Sequence, residues 1–494
     1  MGIKDGGARA FMASYNSVND IPMTVHPVLR NMVMNEWGFD GIICTDAWAM
    51  PNMVWESHYY PSVDRAAAGS IKAGISQFLD NVYSDAVQTA LNSGLLTEAD
   101  INERLRANYR VMIKLGLLDP PSMVPYSTIK GGTPPWQTAD HQQLARKVTQ
   151  ESIVLLKNNG ILPLNKSSIH SIAVIGPYGN IVALDWYSGT PPYTVSPFDG
   201  IKNKVGTGVT VTWTANNDSN AAVNAAAAAD VAIVVIGNHP TCDAGWAVCP
   251  TPSDGKEAID RQVISLAQEQ LAQQVIAANP NTVVVLRASF PFTINWSQQN
   301  APAIVHMAHN SQEEGNALAD VLFGDYNPGG RLVHTWPSDI SQLPAMMDYN
   351  IRNGRTYMYF TGTPLYPFGY GLSYTTFTYS NLRLSGDHIP VAGQVTVSVD
   401  VTNSGSRAGD EVVQMYVQYP SSAVVLPNKE LKGFKRVTLQ PGEKKTVDLT
   451  LSASALAYYN ETANQFTVEQ QPVKIQIGAS SADIRLETTV PVTP

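Results

Sequence analysis

Two acidic stretches carry the residue types that could do chemistry. The first is Phe39 to Met50, Phe-Asp-Gly-Ile-Ile-Cys-Thr-Asp-Ala-Trp-Ala-Met. Ile42, Ile43 and Cys44 form a short apolar run after a Gly-containing turn, which reads as a buried strand that breaks off at Thr45 and Asp46. A carboxylate at a strand's C-terminal tip can act as a nucleophile or base. In a barrel of alternating strands and helices, that tip is where catalytic groups collect. The competing reading is that Asp46 caps the next helix. The second stretch follows Gly237, where a long loop rich in Gly and Pro carries Asp254, Glu257 and Asp260. Loops after buried strands are where open sheets place ligands, and long loops in compact domains are often functional. The competing reading for Glu257 is a solvated carboxylate beside Lys256.

Met12 to Asn16 (Met-Ala-Ser-Tyr-Asn), Asn35 to Gly41 (Asn-Glu-Trp-Gly-Phe-Asp-Gly) and Thr45-Asp46 resemble, in order and spacing, the nucleophile region of glycoside hydrolase family 3, the β-glucosidase and β-xylosidase family. Glu257-Ala-Ile-Asp-Arg261 is similar to the family's Glu-Gly-x-Asp-Arg segment, with Ala258 where Gly is usual. The resemblance implies Asp46 as nucleophile, Glu257 as acid/base, and Met12 and Tyr15 lining the sugar subsite, with no metal or cofactor. The family commonly has Trp directly after the Asp. Here Ala47 intervenes, so Trp48 is either an aromatic platform for the sugar or a core filler. Retaining glycoside hydrolysis uses two carboxyls about 5 Å apart, one attacking the anomeric carbon and one protonating the leaving oxygen. The activity implied is that of an exo-acting retaining β-glycosidase acting on terminal glucose or xylose. Asp260 and Arg261 are expected to form a structural ion pair, and Glu313, Glu314 and Asp325 to be structural. His239 and Trp246 could touch substrate on the +1 side, but each is more often an ordinary surface or packing residue, and both stay outside the catalytic set.

The elements that must position these residues read as an α/β multidomain chain. Strand signals at Ala8 to Tyr15, Ile42 to Cys44 and Ile75 to Leu79 alternate with helical spacing at His26 to Glu36, Val63 to Ala73 and Ser84 to Leu91. Thr97 and Asp100 mark the start of a further helix that stops at Gly116. This is the grammar of a (β/α)8 TIM barrel, but a whole barrel needs roughly 250 residues. Residues 1–120 are therefore expected to be a partial barrel remnant and the chain an amino-terminally truncated form. That expectation keeps alive a second function, a catalytically incomplete carbohydrate-binding remnant. A family phosphorylase or N-acetylglucosaminidase is a weaker third, because those members typically use a barrel-loop His on a segment absent here.

Residues 121–139, rich in Pro and Gly, read as a linker. Asp140 to Asn158 reads as helical. The continuous Val/Ile runs at Ile172 to Ile175, Val231 to Ile236 and Val283 to Leu286 are strands buried on both faces, separated by helices at Asn220 to Ala228 and Val263 to Asn279. They place an α/β sandwich domain with a largely parallel sheet over 140–350, carrying the acid/base loop. A second linker is expected over 351–375. From 376 to 494, alternation at Val395, Val397, Val399 and Val401, at Val447, Leu449 and Leu451, and at Val473, Ile475 and Ile477 is a β-sandwich pattern. Glu430 to Phe434 and the aromatic bridge Tyr366 to Tyr374 resemble the fibronectin type III-like domain that ends many family members.

At 494 residues the chain can bury several cores. Charged residues are 15% and the net charge is -9, which argues against a nucleic-acid or anionic-membrane surface and suits a neutral carbohydrate substrate. No apolar run approaches the ~20 residues of a transmembrane helix. Three Cys exclude a disulfide scaffold. Cys242 and Cys249 could close a loop as a disulfide in an oxidising compartment or stand as two free thiols. A secreted or periplasmic setting is favoured although no signal peptide is visible. Homo-oligomerisation and the choice among glucose, xylose and arabinose are left open.

Overall fold

The structure is a computed structural model that describes residues 2–79, 83–129, 131–132 and 134–494. The chain divides into two compact units, Met1–Gly132 and Thr133–Pro494. In the first unit the strands Ala10–Ala13 and Ile42–Thr45 run parallel, with Met12 opposite Cys44 and Ala13 opposite Thr45. The expected strand at Ile75 to Leu79 is reduced to a single parallel bridge between Cys44 and Gln77. The reason is local: the Ile43 N–H donates to the Ser76 hydroxyl at 3.2 Å, and a side chain there takes the place of a backbone rung.

Helices Val63–Ala73, Ser84–Asn92 and Glu98–Lys114 flank these strands. The last begins in a reciprocal capping box between Thr97 and Asp100, which satisfies two backbone donors that the first turn leaves without partners. Strand alternation sends Phe11, Ala13 and Ile43 into a core with Leu29, Val33, Phe39 and Ile75. Met12 and Cys44 belong to the opposite face. This is a partial (β/α) barrel.

The second unit is built on a six-stranded sheet. Its order is Val154–Asn158, Ala303–Met307, Thr282–Arg287, Val231–Gly237, Ser171–Ile175 and Thr210–Thr214. Every pair is parallel except the first. Residues 231–237 are buried on both faces, because helices cover each side of the sheet and split its residues between two apolar clusters.

The helix expected over Asp140 to Asn158 ends at Ser152, and Val154–Asn158 is a strand. Four consecutive apolar residues from Ile153 to Leu156 are all buried, which a helix with one covered stripe could not do. The helix expected over Val263 to Asn279 is shorter, Glu269–Ala278. The described part of the 121–139 linker holds three short 3-10 turns; Lys130 and Thr133 within it lie outside the described residues. Residues 351–375 are not a free tether. Tyr366 is buried against Trp336, and the Leu372 N–H bonds to the Leu155 carbonyl at 2.8 Å.

The remainder is an antiparallel β-sandwich. Phe377–Leu384, Gln394–Asn403 and Lys444–Ser452 form one sheet; Glu430–Leu439, Gly409–Gln418, Val473–Gly478 and Ile484–Val490 form the other. The alternating Val395, Val397, Val399 and Val401 meet Val413, Met415, Val417, Ile475 and Ile477 in one core. A largely buried Arg331–Glu411 ion pair at 3.1 Å and the contacts of Tyr326 with Asp410 and Arg436 tie this sandwich to the α/β domain.

Candidate active site

The strand Ile42–Thr45 ends in a residue fixed from both sides. Thr45 is fully buried, its N–H donates to the Gln77 carbonyl at 3.0 Å, and its hydroxyl accepts the Leu79 N–H at 3.0 Å. Asp46 follows, with its N–H on the Ala13 carbonyl at 3.1 Å and one carboxylate oxygen accepting the Ala47 N–H at 2.8 Å. Asp46 does not cap the helix Ala49–Trp55, whose N-cap is Trp48 with a left-handed φ of 63°. Alternation carried one step past the strand puts Asp46 on the face of Met12 and Cys44, away from the apolar core. Cys44 is only half-buried; its thiol donates to the Phe11 carbonyl and is pushed above its ordinary value by burial.

Met12, Tyr15, Asp46 and Trp48 therefore belong to the C-terminal ends of two adjacent parallel strands. Met12, Tyr15 and Trp48 are 51%, 46% and 55% exposed. Trp48 is not the core filler that was its alternative. Its ring leans on Trp55 with centroids 6.2 Å apart.

In the second unit the long loop leaves the sheet at Gly237, where a Cβ would lie 1.7 Å from the Arg287 carbonyl oxygen and only glycine fits. Cys242 and Cys249 are disulfide-bonded with Cα atoms 5.4 Å apart. The Lys256 ammonium reaches back to the carbonyls of Gly245 and Ala247. Lys256 and Ile259 exchange backbone hydrogen bonds at 3.1 Å, so Glu257 and Ala258 form the tip of a tight hairpin turn. Ala258 takes the left-handed φ of 64° that this turn demands, the conformation for which glycine is the better residue.

Glu257 is exposed, and both its oxygens accept from the Tyr187 hydroxyl, at 3.2 and 2.9 Å. Trp246 stacks on Trp186 at 4.1 Å with planes 16° apart. His239 is engaged in the loop's own turn: its Nδ1 accepts the Thr241 N–H at 3.2 Å, and burial lowers its basicity.

The expected Asp260–Arg261 ion pair does not form. Arg261 turns inward, where its guanidinium lies 4.0 Å over the Phe290 ring and donates to the Pro291 carbonyl at 2.7 Å. Its charge acts on the buried Asp254, whose carboxyl burial pushes up to about 6 against Arg261's attraction. Asp260 stays exposed. A planar cation that can stack on an aromatic face gains more from that packing than from a solvated neighbour.

Beneath the loop, Arg287 at the end of its strand meets Glu314 at the start of the helix Glu314–Phe323, 3.1 Å apart and both sealed from solvent. Burial outweighs the attraction of Arg287 and raises the Glu314 carboxyl from 4.5 to about 7. A carboxyl that holds its proton more tightly folded than unfolded favours folding at low pH, and stability falls as pH rises from about 4.5 towards 7. The thermal midpoint of the sheet-bearing unit, followed by circular dichroism, is expected to drop over that interval and to flatten in Glu314→Gln; an identical slope in the variant contradicts the assignment. Glu313 and Asp325 are likewise structural, on Tyr193 at 2.6 Å and Lys204 at 2.5 Å.

Tyr187 and Trp186 were not among the residues singled out from the sequence. Tyr187 sits 70 positions before Glu257, with Trp186 next to it on a different strand's loop, and no local motif marks them. Among the described residues, no group of three or more His, Cys, Asp or Glu side chains could hold a metal ion, and no helix is long and apolar enough to cross a membrane.

Residues 1–111 match the glycosyl hydrolase family 3 N-terminal domain, 153–374 the glycosyl hydrolase family 3 C-terminal domain, and 411–481 a fibronectin type III-like domain. A β-xylosidase of Formosa agariphila is 33% identical over 98% of this chain and 69% of its own length. A periplasmic β-glucosidase of Salmonella typhimurium is 34% identical, over 97% of this chain and 67% of its own. Among solved structures, a β-glucosidase from Listeria innocua in complex with isofagomine superposes with a TM-score of 0.84 at 26% identity, covering 98% of this chain and 68% of that one. Three matched domains in one order, with relatives aligned along nearly the whole chain, establish that this chain belongs to glycosyl hydrolase family 3.

Proposed function

We propose that this chain is an exo-acting retaining β-glycosidase that releases terminal β-D-glucosyl or xylosyl residues, with Asp46 as nucleophile and Glu257 as acid/base. In the first step an Asp46 carboxylate oxygen bonds to the anomeric carbon. The glycosidic C–O bond breaks, and the Glu257 proton goes to the leaving oxygen. In the second step Glu257, now a carboxylate, takes a proton from water. The water oxygen bonds to the anomeric carbon, and the ester to Asp46 breaks, returning the carboxylate. The reaction consumes one water and leaves both carboxyls as they began. Met12, Tyr15 and Trp48 are assigned to the sugar-binding surface around Asp46.

The observation that carries this reading is the fixed place of Asp46 at the C-terminal end of a barrel strand, one residue beyond the buried Thr45 and on the face of Met12. A 2-deoxy-2-fluoroglycoside with a good leaving group tests it. The expected result is a mass increase of one fluoroglycosyl unit on the peptide containing Asp46, and labelling of a different carboxylate contradicts the assignment.

The opposing outcome of this test is sugar binding without turnover. Retained binding of a glycone-like inhibitor with no hydrolysis and no labelling would select it.

A further inference from the structure

Glu257 is held by a second loop as well as its own. The segment 182–193 connects the strand Ser171–Ile175 to the helix Pro197–Val205 and contains a self-closed turn. There an Asp185 carboxylate oxygen accepts the Tyr187 N–H at 2.8 Å and the Ser188 hydroxyl at 2.8 Å, and the Asp185 N–H donates to the Ser188 hydroxyl oxygen at 3.0 Å. This turn presents two consecutive aromatic residues to the Glu257 loop. Trp186 stacks on Trp246, which lies inside the segment closed by Cys242 and Cys249. Tyr187 donates its hydroxyl to both Glu257 oxygens. Lys256 completes the brace by binding the carbonyls on either side of Trp246.

We propose that Tyr187 is a positioning residue for the acid/base carboxylate, fixing the rotamer of Glu257 through a hydrogen bond shared between its two oxygens, with the Trp186–Trp246 stack setting the distance between the two loops. The proposal rests on the acid/base reading of Glu257. An exposed glutamate at a turn tip has three rotatable bonds and loses useful orientation quickly. A donor held by a rigid phenol ring restricts that freedom and leaves the carboxyl at the surface, where a leaving group can reach it. The other charged groups of the two loops do not compete for it. Lys256 is engaged on carbonyls, Arg261 faces inward, Asp185 is closed in its own turn, and Asp243 and Asp260 are exposed.

The test is Tyr187→Phe, which keeps the ring and removes the donor. With a poor leaving group, such as an alkyl glycoside, kcat/KM is expected to fall about ten-fold, the equivalent of one hydrogen bond to a charged group. With a 2,4-dinitrophenyl glycoside, which departs without a proton, kcat/KM is expected to stay within about two-fold. In a Glu257→Ala background the substitution should cost nothing further. Equal losses on both substrates, or the same loss without Glu257, would overturn the proposal.

A second readout does not depend on turnover. The side-chain order parameter of Glu257, measured by NMR relaxation, should drop in Tyr187→Phe; an unchanged value also overturns it. Failure of the underlying reading looks different, because Glu257→Ala would then hydrolyse the alkyl glycoside at the parent rate.

Discussion

Asp46→Asn is expected to lower kcat/KM for aryl β-glucosides or β-xylosides by roughly four orders of magnitude, the equivalent of about 5.4 kcal/mol of transition-state stabilisation. The amide keeps the size and shape of the carboxylate, so the strand end should survive. The Ala47 N–H still finds an oxygen acceptor, and the contacts that fix Thr45 and the Asp46 backbone involve no atom that changes. What is lost is the anionic nucleophile and the negative charge facing the developing oxocarbenium ion. The loss should therefore appear with good and poor leaving groups alike, with the melting curve unaltered. Steady-state rates on a leaving-group series check this, and a variant within ten-fold of the parent removes Asp46 from the chemistry.

Glu257→Ala should give a different signature. Proton donation is worth about 10² to 10⁴ in rate, and it matters most when the departing group is a poor one. Alkyl glycosides should lose that factor. A dinitrophenyl glycoside should still form the glycosyl-enzyme and then stall, because no base remains to activate water. Azide needs no base and fits the space that truncation opens, so it should restore turnover and release a β-glycosyl azide of retained configuration. Product analysis by NMR reads this directly; no azide product, or an α-configured one, contradicts a retaining acid/base role for Glu257. Exposure of Glu257 at a hairpin tip makes the substitution structurally mild, since the turn is held by Lys256, Ile259 and the Cys242–Cys249 link.

Much of this was legible in local sequence because the physics involved is local. The run Ile42 to Thr45 is a strand because apolar β-favouring residues end at a polar pair, and Asp46 is displayed because the strand stops there. The Thr97–Asp100 capping box and the two-residue alternation of Val395 to Val401 act within a single turn or strand, so their spacing alone announces them. The misread elements were those whose identity depends on neighbours. Val154–Asn158 follows a helix with only Ile153 between, and only its pairing with Ala303–Met307 makes it a strand. Thr210–Thr214 is a half-exposed edge with too little apolar content to stand out.

Residue types and order along the chain thus determined the family, the three-part architecture and the candidate carboxylates Asp46 and Glu257. Tertiary structure alone decided who holds them. Arg261 chose the Phe290 face and Asp254 over its neighbour Asp260, because packing and burial outweigh adjacency in sequence. Tyr187 reached Glu257 across 70 residues because parallel strands deliver distant loops to the same edge of a sheet, a proximity that no spacing in a linear chain encodes.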